Sequence, residues 1–240
     1  MRDWQEEIAL RVDFIREIIA QAGAAGVVLG NSGGKDSALV AMLCKMACDN
    51  TVGVIMPCGT NVNYTSDKTD ALALAAQCDI QTREVDLTAT RDILLQAIGE
   101  LPPTALNNIA PRLRMTTLYA IATAENLLVA GTSNYSERYM GYFTKFGDGA
   151  CDFNPIADLT ATEVLDFLHY LDAPANIMEK APSGGLFDGQ TDEAEMGVTY
   201  DDLDFWLRHG HAQDREREIM QRAHRTTAHK RVLPVMFEGE

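Results

Sequence analysis

Residues 27–37 read Val-Val-Leu-Gly-Asn-Ser-Gly-Gly-Lys-Asp-Ser, and this stretch constrains the fold more than any other. Its apolar start has the character of a buried parallel strand. A glycine-rich turn follows, and a helical pattern opens at Ser37 with Leu39, Val40, Leu43 and Met46 on it. Strand, glycine turn and helix start together make an anion site. The glycines let backbone N–H groups approach a ligand, and the helix end adds partial positive charge. A phosphate is the expected guest. Two familiar phosphate loops are excluded. The G-x-x-x-x-G-K-[ST] pattern fails because Leu29 replaces its first glycine and Asp36 its hydroxyl residue. The G-x-G-x-x-G pattern fails because Ser32 replaces its second glycine. What remains is Ser-Gly-Gly-Lys-Asp-Ser. Ser32, Ser37 and the loop amides suit pyrophosphate, and Asp36 suits a hard cation that prefers oxygen ligands.

This loop resembles that of the N-type ATP pyrophosphatases, which release pyrophosphate from ATP and pass AMP to an acceptor. The rest of the chain agrees with such a scaffold. Its 240 residues are 46% hydrophobic, enough to fill the core of one α/β domain, taken as 1–240. A net charge of −15 argues against a nucleic-acid partner. Cys44, Cys48, Cys58, Cys78 and Cys151 form no C-x-x-C pair and suit a reducing compartment. No apolar run approaches membrane-spanning length and no signal-peptide pattern opens the chain, so the expected location is cytoplasmic.

Strands and helices are expected to alternate. Residues 3–22 form an amphipathic helix stopped by Gly23. Further strands are expected at Thr51–Met56, Gln81–Val85 and Leu127–Ala130, with helices between them: one from Ser66-Asp67 to Cys78, one capped by Thr88 to Ile98, and one over 104–126. Pro111 either opens the regular part of the last helix or kinks it. The alternation predicts a doubly wound parallel sheet flanked by helices. Its carboxyl edge, where ligands bind, carries Pro57–Thr60 and Gly131–Asn134. Residues 135–158 have no strong period and form an expected functional loop. Thr160-x-x-Glu163 is a capping box for a helix to about Leu171. Pro182–Gly197 is expected to be mobile. Thr199 caps a helix to His209 and Gly210, and a polar helix runs from Ala212 to His224.

Four further segments sharpen the resemblance: Asn108–Met115 (NIAPRLRM), Gly131–Glu137 (GTSNYSE), Gly141–Gly149 (GYFTKFGDG) and His229-Lys230-Arg231. Together with the loop they are similar to the NAD synthetases that use free ammonia, over about residues 12–237. The resemblance implies an adenine nucleotide alpha hydrolase-like fold and a homodimer with the helix around 113–125 at its interface. It also implies a two-step reaction. ATP adenylates the nicotinate carboxylate of deamido-NAD and releases pyrophosphate. Ammonia then displaces AMP and gives NAD. By the same resemblance ATP meets Gly30, Asn31, Ser32, Gly33, Gly34, Lys35, Asp36, Ser37, Thr132 and Ser183. Asp36 and Glu137 hold magnesium. Arg112, Lys145, Asp152, His229 and Lys230 meet deamido-NAD, and Asp36 and Lys145 are the catalytic pair.

Three positions depart from that family pattern. Ser183 stands where threonine is expected, Pro111 where alanine is common, and Ala161 where a lysine usually contacts ATP. Lys35 lies in the loop itself, and its long stem could bring an ammonium to the same oxygens. Competing readings are a related AMP-forming ligase for another carboxylate, a tRNA-thiolating pyrophosphatase, and a nucleotide-binding protein without catalysis. The absent C-x-x-C and the acidic balance weigh against the second.

Overall fold

Val27 and Leu29 face one side of the first strand and Val28 the other, and all three are fully buried. This alternation is what a strand sandwiched between two helical layers requires. The computed structural model describes residues 2–59, 64–180, 183 and 191–237. Among them, strands β1 (Gly26–Gly30), β2 (Thr51–Ile55), β3 (Gln81–Glu84) and β4 (Leu127–Val129) form one parallel sheet in the order β3-β2-β1-β4. Val27 pairs with Thr51 on one side of β1, and Val28 with Val129 on the other. The chain therefore winds outward from β1 to β3 and then returns to the opposite side of β1. That reversal opens a crevice at the carboxyl ends of β1 and β4.

Helices cover both faces, giving the doubly wound sheet that the alternation predicted. On one face Ile15 of the Trp4–Ala22 helix, Leu39 and Leu43 of the Lys35–Ala47 helix, and Phe167 of the Ala161–Tyr170 helix join Val27 and Leu29. Trp4 stacks on Phe167 at 4.6 Å between ring centroids. On the other face Val28, Val52, Val54 and Val129 meet Leu113, Leu118 and Ile121 of the Ile109–Glu125 helix. A third cluster, including Met140, Ala161, Tyr200, Leu203 and Met220, sits beside the sheet.

Several boundaries move. The helix after the glycine loop starts at Lys35 rather than Ser37, which puts Lys35 and Asp36 in its first turn. The Thr88–Ile98 helix is opened by Asp86, whose carboxylate accepts the Thr88 N–H at 2.9 Å, rather than by the Thr88 side chain. Pro111 stands in the first turn of its helix, where the missing N–H has no intrahelical partner to lose. A separate short helix, Pro103–Leu106, precedes it. Gly23, the Thr160 capping box, Thr199 and Gly210 end or start helices as expected. The polar helix spans Asp214–Thr226.

The expectation of one continuous functional loop over 135–158 is corrected in its first part. Tyr135–Met140 is helical, held by a capping box between Asn134 and Glu137. Ala130 and Phe153 then pair in parallel beyond β4. Six residues are too few for a period to show, so the cap was the only available signal. The expected mobility of Pro182–Gly197 lies largely outside the described residues. Its end is the Asp192–Met196 helix, with Asp192 and Met196 buried. Thr60 also lies outside them.

Candidate active site

The glycine turn is held by its own serines and by the neighbouring helix. Ser32 Oγ and Ser37 Oγ lie 3.0 Å apart, and Ser37 Oγ donates to the Gly34 carbonyl at 2.9 Å. Gly33 has a φ of +74°, and a Cβ there would lie 2.2 Å from the Asp67 carbonyl oxygen. Only glycine serves at this point. Asn31 ties the turn to the sheet through its N–H on the Val54 carbonyl at 2.9 Å, and its side chain donates to the Ala71 carbonyl at 2.9 Å. No side chain caps the Lys35–Ala47 helix at Gly34, so its first amides face the crevice with the partial charge of a helix start.

Asp36 faces a second element that the sheet reversal brings alongside. Asn134, fully buried after β4, donates its side-chain amide to Asp36 Oδ1 at 2.9 Å. The same Asn134 accepts the Glu137 N–H at 2.9 Å, and its own N–H donates to Glu137 Oε2 at 3.2 Å. One asparagine thus orients both carboxylates. Desolvation and then the neighbouring Asp36 charge push the Glu137 carboxyl well above the usual range, against the pull of Lys35. Two hard oxygen donors that repel one another suit a divalent cation. Among the described residues no three His, Cys, Asp or Glu side chains are arranged to hold a metal. A cation here would take its remaining ligands from elsewhere.

Lys35 lies beside this pair. It is 7% exposed, and its Nζ donates to Asp36 Oδ2 at 2.7 Å. Burial alone would lower its pKa, but the charges of Asp36 and Glu137 outweigh it and the net shift is upward. The ammonium also sits 5.2 Å from the centroid of the Tyr200 ring. Tyr200 in turn donates its hydroxyl to Asp192 Oδ2 at 3.1 Å.

Lys35, Asp36, Glu137 and Asp192 line a cavity of about 530 Å³. Its lining also includes the apolar side chains of Val54, Met56, Leu118 and Val129. Such a cavity offers apolar surface to a flat heterocycle and polar groups to anions. Thr132, Ser183 and Lys230 line it as well. The wall near Lys230 is closed by the C-terminal segment. Lys230 Nζ donates to the Gly141 and Phe143 carbonyls at 2.8 and 2.7 Å. Arg231 donates to the Tyr139 carbonyl at 3.3 Å. Gly141 lies so close to Thr227 that a Cβ would come within 2.3 Å of it.

The comparisons with known proteins agree with this geometry. The family model described as NAD synthase matches residues 7–237. The chain is 43% identical to an NH(3)-dependent NAD(+) synthetase of Carboxydothermus hydrogenoformans over 238 residues, 97% of each chain. A solved NMN synthetase of Francisella tularensis superposes with a TM-score of 0.94 at 36% identity, covering 100% of both chains. An NH3-dependent NAD synthetase of Campylobacter jejuni superposes with a TM-score of 0.83 at 32% identity, covering 99% of this chain and 100% of that one. The chain belongs to the NAD synthase family. Its fold is the adenine nucleotide alpha hydrolase-like fold, and the family uses ATP as substrate.

Within that family pattern the expected residues separate into two groups. The loop residues Gly30, Asn31, Ser32, Gly34, Lys35, Asp36 and Ser37, with Thr132 and Glu137, line the cavity; Gly33 shapes the loop from behind. Of the residues expected to meet deamido-NAD, Lys230 lines the cavity. Arg112, Lys145 and His229 form a chain outside it. Arg112 donates to the Lys145 carbonyl at 3.3 Å, and Lys145 Nζ donates to the His229 carbonyl at 2.6 Å. Asp152 braces the sheet, accepting the Val129 N–H at 2.7 Å and the Tyr119 hydroxyl at 3.2 Å.

Sequence reasoning missed four residues at the site. Asn134 was available from the Asn-x-x-Glu spacing of a capping box. Arg114 lines the cavity and donates to the Met56 carbonyl at 3.1 Å. Lys180 lines it too, its Nζ on Asp67 at 2.6 Å and Asp70 at 2.9 Å. Asp192 gave no signal in its acidic segment. Ala161, where the family usually has lysine, is 2% exposed and packs in the apolar cluster with Tyr200. Its N–H donates to Ser136 Oγ at 3.1 Å. A lysine stem at 161 would enter the cluster that underlies the Lys35 ammonium.

Proposed function

We propose that this chain makes NAD from deamido-NAD and ammonia, with ATP converted to AMP and pyrophosphate. The observation that carries this reading is the Asp36–Asn134–Glu137 arrangement facing the Ser-Gly-Gly-Lys-Asp-Ser loop in one cavity. A carboxylate is a poor electrophile until one of its oxygens becomes part of a leaving group. In the first step a nicotinate oxygen bonds to the α-phosphorus of ATP and the bond to pyrophosphate breaks. In the second, ammonia bonds to the acyl carbon, AMP leaves, and the nitrogen loses a proton.

The loop amides and Ser32, Ser37, Thr132 and Ser183 hold the nucleotide, and the helix start stabilises charge growing on the departing pyrophosphate. Asp36 and Glu137 are the magnesium ligands in this reading, and the metal when bound would screen the phosphate charge. Arg112, Lys145, Asp152, His229 and Lys230 are the acceptor contacts, with Asp36 and Lys145 as catalytic residues. All of this is carried by one domain, 1–240. Four of the acceptor contacts, Arg112, Lys145, Asp152 and His229, do not line the cavity, which supports a homodimer in which a second copy covers the exposed side of the Ile109–Glu125 helix. The five free cysteines support a cytoplasmic location. Among the described residues no helix is long and apolar enough to cross a membrane.

One observation favours a second reading. The TM-score of 0.94 is to an NMN synthetase, so the acceptor would be the acid counterpart of that mononucleotide rather than of NAD. A single assay separates the two: purified protein with ATP, magnesium and ammonium, given either acid. NAD, AMP and pyrophosphate in equal amounts, with the higher kcat/KM for deamido-NAD, support the first reading. A higher kcat/KM for the mononucleotide supports the second. ADP and phosphate as products reject both.

A further inference from the structure

We propose that Lys35 is a tethered stand-in for the divalent cation, resting on Asp36 beside Glu137 until ATP arrives and keeping these two carboxylates from binding metal without nucleotide. The inference rests on the proposed roles of Asp36 and Glu137. A lysine is almost never this buried unless paired, and here the pairing is with a cluster that has another use. The Lys35 Nζ is 2.7 Å from Asp36 Oδ2. Glu137 and Asp192 add their fields at the same ammonium. The Tyr200 ring lies on one side of it, as in sites that bind ammonium ions. Asp192 is 4% exposed, and its Oδ2 accepts the hydroxyl of the same Tyr200 at 3.1 Å.

The donor count gives the consequence. No three acidic, His or Cys side chains among the described residues converge on a metal position, so a cation held by Asp36 and Glu137 needs phosphate oxygens too. Free metal meets an incomplete ligand set already neutralised by Lys35. Nucleotide-bound metal brings the missing oxygens, and the same phosphates offer Lys35 an alternative partner. Lys35 occupies the first turn of its helix, so rotation of its flexible stem, without backbone movement, carries the ammonium from carboxylates to phosphate. The arrangement imposes an order: nucleotide and metal together, never metal first.

The test is a manganese titration of the full chain, followed by the electron paramagnetic resonance signal of free Mn²⁺. Neither acceptor nor ammonia is present, so the result is independent of which acid is the substrate. Without nucleotide, Lys35→Met and Lys35→Gln should each bind Mn²⁺ at least about tenfold more tightly than the parent, because a nearby positive charge has been removed. With a non-hydrolysable ATP analogue the gap should close to within about threefold, since Lys35 has then left the cluster. Equal affinity in parent and both variants without nucleotide, with all three folded by circular dichroism, overturns the proposal. If both variants unfold, the parent decides. Its lysines are labelled with ¹³C at Cε by growth on labelled lysine, and the Lys35 resonance should shift with analogue plus Mg²⁺ but not with Mg²⁺ alone. A shift with Mg²⁺ alone, or none with analogue plus Mg²⁺, overturns it. A parent that passes these tests but forms no AMP with either acid fails the functional reading instead.

Discussion

The cavity and the surface beside it are built differently. On the nucleotide side Asn134 is fully buried and bonded to both Asp36 and Glu137, and the loop serines bond one another. At the surface outside it, Arg112 and Lys145, the proposed acceptor contacts, donate to backbone carbonyls, and Lys145 also lies over the Phe146 ring. The first set has its geometry before any ligand binds, and such preorganisation lowers the cost of reaching the transition state. The second set spends its hydrogen bonds on the chain itself, and a ligand must displace them. On the proposed roles, the contrast teaches that nucleotide activation would be fixed by the fold, whereas acceptor choice would depend on side chains free to rearrange.

The comparison breaks first at the carboxylates. Asp36→Asn and Glu137→Gln should each lower kcat by roughly 10²–10³ with a folded protein by circular dichroism. Near-parent turnover at ordinary magnesium would remove them from the reaction. Asn134→Ala comes next. It leaves both carboxylates in place but unoriented, and losing a hydrogen bond to a charged group is worth about 1.5–3 kcal/mol. Its activity should rise again with excess magnesium; a loss that no magnesium concentration restores would mean the helix itself has shifted.

On the acceptor side the effects should be smaller and selective. Lys230→Ala should raise the acceptor KM about tenfold and leave the ATP KM unchanged, while Lys145→Ala, proposed as catalytic, should also lower kcat. An equal rise in both constants would erase the division between the two sides.

The smallest effect is a pH dependence of stability away from both. Asp204 is buried, accepting from Ser136 Oγ and from the Thr162 N–H at 2.8 Å. Burial pushes its carboxyl up despite these bonds. A raised acid binds more protons folded than unfolded, so stability falls as pH rises from the ordinary aspartate range to the folded value. Urea midpoints of Asp204→Asn should lack that part of the slope. Parallel pH profiles for parent and variant would show that Asp204 titrates alike in both states.

Much of the nucleotide side was legible because it is local. A strand, a glycine turn and a helix start follow one another within 27–37, and each is set by short-range propensities. The capping boxes at Thr160 and Asn134 are equally local; the second was hidden only by the shortness of its helix. The acceptor side was legible as residue types but not as placement. Arg112, Lys145, Asp152 and His229 come from four segments, and whether each faces the cavity depends on long-range packing that no periodicity encodes. The burial of Lys35 was illegible for the same reason, since Tyr200 and Asp192 meet it from far along the chain.

The contact between Gly141 and Thr227 has a consequence for protein synthesis. Every strand among the described residues and the whole glycine loop have been translated by residue 129, yet the cavity wall around Gly141 and Phe143 waits for residues 227–231. A message broken shortly before that point would yield a chain with its full sheet and core but one open wall. Ligand binding thus reports whether translation has passed residue 231.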